Sequence, residues 1–137
     1  MKIKTLILIC SLILINLLTC GWFRQQAFVY FNNLPFTAET TLKPVYEFKK
    51  DSKIYYLFFS KKKLSNEYIR VQLFKIGDSI PQGGASMMRV KEYRLMKDEK
   101  FYHTNYFVLH ESGRYVVQVY DPQNPNVPLA RGEFKVR

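Results

Sequence analysis

The chain has 137 residues, of which 47% are hydrophobic, 16% aromatic and 23% charged. These values exclude a disordered tail and suit one packed domain. The 21 basic and 11 acidic side chains give a net charge of +10, which favours acidic partners. The sequence shows no internal repeat and no low-complexity tract, which excludes solenoids and collagen-like folds.

The first 19 residues have the pattern of a secretory signal peptide. Lys2 and Lys4 precede an apolar run at residues 6–15, and a polar break follows at Asn16. The alternative is an uncleaved membrane helix, but residues 3–18 are only 16 residues long and include polar side chains. A helix needs about 20 apolar residues to span the hydrocarbon. We therefore predict that residues 1–19 are removed on export.

Cysteine usage separates plain secretion from lipid anchoring. Cys10 lies inside the apolar run and leaves with the signal, so the exported chain keeps Cys20 alone. Cys20 then has no disulfide partner, and an unpaired exported thiol is a reactive liability unless it has a chemical use. Thioether lipidation is such a use, because several acyl chains hold a protein firmly to a membrane.

The stretch Leu17-Leu18-Thr19-Cys20 resembles the lipobox of bacterial lipoproteins, which has Leu three residues before the Cys. Thr19 stands where that pattern usually has Gly, Ala or Ser, and is similar to the looser lipobox of spirochaetal lipoproteins. The resemblance implies a lipid on Cys20, with residues 20–26 as anchor and linker. Gly21 and Trp22 include no acidic residue of the kind that retains enteric lipoproteins at the inner membrane, so the analogy favours the outer membrane. A soluble secreted protein with a chance cysteine is the alternative.

The exported residues 20–137 carry a net charge of +8, and a chain of this size can bury about two-thirds of its surface. Strand-like segments alternate with turn signals, while the best helical candidate, residues 90–100, is ambiguous. We expect strands near residues 27–31, 45–48, 54–59, 68–74, 87–96, 101–110, 115–119 and 132–136. This pattern predicts an all-β domain over residues 27–137, either a sandwich or a small barrel.

The segment Glu111-Ser112-Gly113-Arg114-Tyr115 and the strands after it resemble the last two strands of immunoglobulin-like and fibronectin-type sandwiches. The resemblance implies a single antiparallel β-sandwich of seven to eight strands, in which the Tyr115 hydroxyl bonds back to the turn backbone. Two features depart from the antibody pattern: the single Trp is Trp22, and no inter-sheet disulfide is available. Proteins of unrelated functions share this architecture, so it does not by itself predict a function.

Aromatic residues are concentrated in the segment of residues 54–59, which is apolar or aromatic on both faces. This pattern is typical of a central strand. Because a small sandwich without disulfides must bury its aromatic side chains, we expect most of them in the core.

Candidate catalytic and metal-binding residues are few. His103 and His110 are seven residues apart, so on one straight strand they face opposite sides, and we expect surface or rim positions for both. No additional Cys or His could complete a zinc site, and no Gly-x-Ser-x-Gly motif is present. Gly83-Gly84 lacks the rest of a phosphate-binding loop and is interpreted as a turn. The sequence therefore predicts a non-enzymatic protein without metal or cofactor.

Basic residues are the one functional signal in the composition. Lys61, Lys62 and Lys63 follow the aromatic segment, and Arg89, Lys91 and Arg94 form part of a second set. They predict a cationic surface for a protein or acidic glycan partner. The alternative is that lysines at both ends of an aggregation-prone segment prevent edge pairing. Export argues against a nucleic-acid partner.

Together these patterns predict a lipid-anchored protein of a bacterial outer envelope that binds a macromolecule non-covalently, as an adhesin for extracellular matrix or plasma proteins does. A periplasm-facing structural or assembly subunit of an envelope complex is the alternative. A small hydrolase or lectin-like module would require a concave polar pocket.

Metabolic labelling with a radioactive fatty acid tests the anchor directly. We expect label on the wild-type protein and none on Cys20→Ala, because the thioether forms only at that thiol. An unlabelled wild-type protein would contradict the lipoprotein prediction and leave a soluble exported domain.

Overall fold

The computed structural model describes residues 26–77 and 84–137. The predicted signal segment, Cys20, and residues 78–83 of the predicted turn region lie outside the described residues. Eight strands occur in the described part: β1 Ala27–Asn32, β2 Glu47–Phe48, β3 Lys53–Ser60, β4 Tyr68–Ile76, β5 Ala85–Arg94, β6 Tyr102–Val108, β7 Gly113–Tyr120 and β8 Ala130–Val136. One helical turn, α1, spans Ala38–Thr41, and a 3-10 turn spans Lys97–Glu99.

The strands form two sheets, which confirms the predicted all-β class. One sheet has three strands in the order β1-β3-β6, and the other has five in the order β2-β8-β7-β4-β5. β3 is central in its sheet, as predicted. The pairings are antiparallel except that β2 runs parallel to β8, which differs from the fully antiparallel expectation. β2 is short, and the connection that contains α1 brings it to β8 from the other sheet.

The hydrophobic core lies between the two sheets. Strand alternation directs one face of each strand inward, so β3 buries Ile54, Tyr56 and Phe58 against residues of the five-stranded sheet. That sheet contributes the following fully buried side chains: Ile69, Leu73, Tyr115, Val117, Val119 and Val136. Core packing therefore supplies the stability that a disulfide-free domain requires.

The sheets approach most closely where β1 crosses β8. Gly132 of β8 has no side chain, and a Cβ atom placed there would lie 2.7 Å from Cε2 of Phe31 and 3.1 Å from Cβ of Val29. The Phe31 ring is fully buried and packs 4.7 Å from the Phe134 ring, centroid to centroid. Gly132 thus makes room for the aromatic ring that joins the two sheets.

The turn before β7 has the hydrogen bond that the sequence predicted. The Tyr115 hydroxyl donates to the Glu111 carbonyl at 2.8 Å, and Gly113 takes a φ of +152°, which favours glycine. The Tyr115 ring stacks on Phe134 at 5.6 Å. Turn and core are therefore connected through one side chain.

The helical turn α1 was not predicted. Thr37 caps it: the Thr37 side chain accepts a hydrogen bond from the Thr40 backbone at 3.2 Å, and the Thr40 hydroxyl accepts one from the Thr37 backbone at 2.7 Å. This reciprocal cap needs no apolar stripe, so a search for amphipathic periodicity passes over it. The ambiguous segment 90–100 divides into the end of β5 and the 3-10 turn.

The prediction that most aromatic side chains lie in the core is wrong for the three-stranded sheet. Only the inner face of β3 is covered, and Tyr55 and Phe59 point to the outer face, where Phe59 is 39% exposed. Strand alternation cannot show which face is covered when both faces carry apolar residues.

We expect Gly132→Ala to lower the free energy of unfolding by about 1–3 kcal/mol, the usual cost of overpacking. Equilibrium urea denaturation measures this change. Arg131→Ala on the same strand is the matched control, since its exposed side chain should matter by less than about 0.5 kcal/mol. Equal stability of Gly132→Ala and the wild type would contradict the close approach of the two sheets.

Candidate functional site: an aromatic sheet face

The outer face of the three-stranded sheet carries a group of aromatic side chains. Register places Phe28 beside Phe59 and Phe59 beside Tyr102, while Tyr55 pairs with Tyr106. The aromatic face consists of Phe28, Tyr30, Tyr55, Phe59, Tyr102 and Tyr106. Leu57 lies at its centre, between Tyr30 and Thr104.

Two pairs of neighbouring rings on this face lie close to each other. The Phe28 and Tyr30 rings stack with centroids 6.1 Å apart, and those of Tyr55 and Tyr106 lie 5.7 Å apart. Phe59, Tyr102 and Tyr106 are nevertheless 39%, 41% and 45% exposed. A contiguous exposed apolar patch marks an interaction surface more often than a free protein surface.

Two lysines lie over rings at the ends of the aromatic face. The Lys53 ammonium is 4.9 Å from the Tyr106 ring centroid, and the Lys61 ammonium is 5.2 Å from that of Phe28. Cation–π contacts at exposed sites are weak, about 0.5–1 kcal/mol, so the two ammonium groups can also contact a bound partner. The result is an aromatic sheet face with positive charge at its rim.

The predicted cationic residues occupy separate parts of the surface. Lys61, Lys62 and Lys63 lie exposed in the loop between β3 and β4. Arg89 and Lys91 pair with the inward-facing Leu73 and Val71, so they lie on the inner side of β5. The Arg89 guanidinium is 6.0 Å from the Phe107 ring, and the Lys91 ammonium is 5.2 Å from the Tyr93 ring.

Arg94 differs from these residues because it is paired with an acid. It lies on the opposite face of β5 from Arg89 and Lys91, and its guanidinium is 3.3 Å from the Glu67 carboxylate. The structure therefore does not bring the six predicted residues together into one cationic patch. Several of these residues are close together in the sequence, but successive residues of a strand point to opposite faces, so they do not share one surface.

The two histidines occupy different environments. His110 is exposed, as expected, and its Nδ1 lies 2.6 Å from the Asp51 carboxylate. The surface or rim expectation is wrong for His103, which is only 8% exposed and faces inward from β6. Its ring lies 4.4 Å from Tyr93 and 6.0 Å from Tyr56, centroid to centroid. The sequence predicted that the two histidine side chains point in opposite directions, but it did not predict that His103 points into the core.

This buried group contains polar atoms without hydrogen bonds. In residues 26–77 and 84–137, the Tyr56 hydroxyl and Nε2 of His103 are buried and lack a hydrogen-bond partner. Burial raises the pKa of Tyr56 far above its usual range, and the nearby Tyr93 phenol adds to this rise. Burial also lowers the pKa of His103, although the negative charge of Glu99 opposes this effect. Both side chains are therefore neutral near pH 7.

Metal-binding clusters are not found in the described part of the chain. No three His, Cys, Asp or Glu side chains there group closely enough to hold a metal ion. Among the same residues, no helix is long and apolar enough to cross a membrane.

The shallow cavities lie elsewhere. One cavity, of about 210 Å³, is lined by loop and strand-end residues that include Lys62, Lys63 and Asp121. The aromatic face is consequently the best candidate for function.

No protein-family model and no curated protein sequence matches the chain. Among solved structures, the chain is similar to the Pseudomonas fluorescens alkylpurine DNA glycosylase AlkC bound to DNA containing an abasic site analog, with 12% identity and a TM-score of 0.42. That match covers 82% of this chain and 30% of the glycosylase.

A β-glucosidase from Kluyveromyces marxianus matches at 14% identity and a TM-score of 0.37, over 80% of this chain and 14% of the glucosidase. Since the chain spans less than a third of either enzyme and both TM-scores are below 0.5, neither likeness informs function.

The buried imidazole predicts a pH dependence of stability. Because folding lowers the pKa of His103 below 6.5, the unfolded chain binds more protons, and stability falls as the pH drops through that value. The slope is at most about 1.4 kcal/mol per pH unit. Urea denaturation at about pH 8 and about pH 5.5, on either side of the usual pKa of histidine, measures this change in stability.

We expect His103→Phe to flatten this dependence, whereas His110→Gln, which alters an exposed imidazole, should retain the fall at acidic pH. A wild-type protein equally stable at both pH values would contradict the burial of a neutral His103.

Proposed function

We propose that this chain is an exported lipoprotein of a bacterial outer envelope, anchored through Cys20, whose immunoglobulin-like β-sandwich binds a protein partner through the aromatic face. The exposure of Phe59, Tyr102 and Tyr106 among half-buried rings on the outer face of the β1-β3-β6 sheet is the observation that carries the binding role. The lipobox-like segment ending at Cys20 supports the anchor.

Two features support an immunoglobulin-like architecture. The sheets have the strand orders β1-β3-β6 and β2-β8-β7-β4-β5, so most connections cross between the two layers, as in Greek-key sandwiches, and only β4–β5 and β7–β8 join strands of one sheet. Tyr115, near the start of the penultimate strand β7, donates its hydroxyl hydrogen bond back to the turn at 2.8 Å. The parallel β2–β8 pair closes one edge of the larger sheet.

A protein partner suits the chemistry of the aromatic face. Tyrosine and phenylalanine are enriched at protein interfaces, where they supply large rigid contacts at low entropic cost. The face has no concave polar site at its centre, where Leu57 lies, and this favours contact over catalysis. A matrix or plasma protein of a host is the partner class that an envelope adhesin would contact.

The position of β5 at the edge of its sheet in the described part of the chain favours a second candidate, a structural subunit that docks through strand pairing. β5 is ten residues long and lies at the end of its sheet. Its exposed charges, Arg89, Lys91 and Glu92, are of the kind that discourages edge pairing. We therefore place this candidate second.

Site-specific photo-cross-linking in living cells tests the two candidates. A cross-linking amino acid replaces Tyr106 on the aromatic face, Val90 on β5, or Arg131 on the outer face of the five-stranded sheet as the matched control. We expect one discrete adduct from position 106 and none from position 131, because only the aromatic face contacts the partner. Mass spectrometry of the adduct then identifies the protein.

An adduct from position 90 alone would contradict the aromatic interface and favour strand docking. Adding protease to intact cells before cross-linking locates the domain: loss of both domain and adduct indicates surface display, and protection indicates a periplasmic position. Equal adducts from all three positions would contradict a specific interface.

A further inference from the structure

The point where the chain enters the domain lies beside the lysine-rich loop. β1 begins at Ala27, and the carbonyl of Gln26 accepts a hydrogen bond from the Lys61 backbone at 2.7 Å. Lys62 and Lys63 line the same cavity as Gln26 and Ala27. The lysine loop, Lys61, Lys62 and Lys63, is therefore adjacent to the residues that lead back to Cys20.

The connection between β5 and β6 reaches the same end of the domain. The Lys100 carbonyl accepts from the Leu64 backbone at 2.9 Å, and the Phe101 carbonyl accepts from the Ser60 backbone at 2.7 Å. This connection adds Lys97 and Lys100 and exposes two apolar side chains, Met96 at 65% and Phe101 at 43%. We call the lysine loop and residues 95–101 together the anchor end.

Three carboxylates within or beside the anchor end are engaged in local contacts, whereas Asp98 is exposed. Glu67 pairs with Arg94 at 3.3 Å, Glu99 accepts from the Met96 backbone at 3.0 Å, and Asp121 accepts from Asn66 at 2.9 Å. The ammonium groups of the lysine loop have no carboxylate within 4 Å among the described residues. Positive charge and exposed apolar side chains therefore meet at this end.

Chain length limits how far this end can lie from a lipid on Cys20. Six residue steps separate Cys20 from Gln26, and even a fully extended chain spans only about 3.3–3.6 Å per residue, so roughly 20 Å in total. The opposite end, where Lys50 bonds to the Arg137 carbonyl at 2.9 Å, lies a full strand length further away.

We propose that the anchor end is a second membrane contact, in which the lysine loop binds the phosphate groups of anionic lipids while Met96 and Phe101 enter the headgroup region. This inference rests on the proposed lipidation of Cys20. Lysines close to a membrane are attracted by anionic lipids, and a lipid chain combined with a basic patch is a common pair of attachment signals. The two attachments together orient the strands along the membrane normal, so that the aromatic face does not contact the bilayer.

Amide hydrogen exchange on the lipidated full-length mature protein tests the contact. The protein is reconstituted into vesicles of phosphatidylcholine alone or of phosphatidylcholine mixed with phosphatidylglycerol. With the anionic lipid, we expect exchange in residues 61–67 and 95–101 to slow by about tenfold at low salt, and this protection to disappear near 1 M salt, where screening is strong.

Two triple variants lose the same number of positive charges at opposite ends of the domain. Comparing them shows whether the position of the lysines matters or only the net charge. Replacing Lys61, Lys62 and Lys63 by Gln should abolish the lipid-dependent protection. Replacing Lys43, Lys49 and Lys50, exposed lysines of the opposite end, by Gln should preserve it. Far-UV circular dichroism checks that both variants remain folded.

Flotation of the vesicles distinguishes the two possible failures. Protein that does not float with the vesicles overturns the lipidation of Cys20 and with it this inference. Protein that floats but shows the same exchange in both lipid mixtures overturns the anionic-lipid contact alone, and leaves the anchor and the aromatic interface in place.

Discussion

The close contact between β1 and β8 sets the arrangement of the whole domain. Phe31 can fill the space between the sheets only because Gly132 has no side chain, and the ring then reaches Phe134 at 4.7 Å. Phe134 in turn contacts Phe48 and Tyr115, so the parallel edge strand and the turn before β7 depend on the same aromatic group. A side chain at position 132 would separate the layers and disturb all of these contacts together.

Fixing β1 over β8 also determines what stays uncovered. The smaller sheet has three strands and the larger has five, so β5 extends beyond the shared core and nearly all of its residues are exposed. His103 and Tyr56 lie next to this uncovered flank, where buried polar atoms without hydrogen bonds reduce local stability. The outer face of the smaller sheet has no covering layer among the described residues, and its aromatic rings are therefore available for contact.

Much of the fold could be predicted from local patterns. Alternation located the strands, and the Glu111-Ser112-Gly113-Arg114-Tyr115 segment predicted a hydrogen bond that depends only on a turn and one ring. The aromatic face could not be predicted, because β3 is apolar on both sides and the covered side depends on long-range packing. His103 shows the same limit: the period of a strand separates it from His110 but does not show which one faces inward. The parallel pairing of β2 with β8 could not be predicted, because it depends on the path of the connection that contains α1 and not on a local sequence pattern.

The direction of β1 has a mechanical consequence. β1 pairs with β3 along six consecutive residue positions, beginning at Ala27, where the chain enters the domain. A protein tethered through the preceding residues and pulled by a bound partner would experience force along the strand axis. All six pairs would then be loaded in shear at the same time, whereas a peeling force would break them one after another. Since forced unfolding is governed by the unfolding barrier, this geometry suits a domain that must stay folded under load.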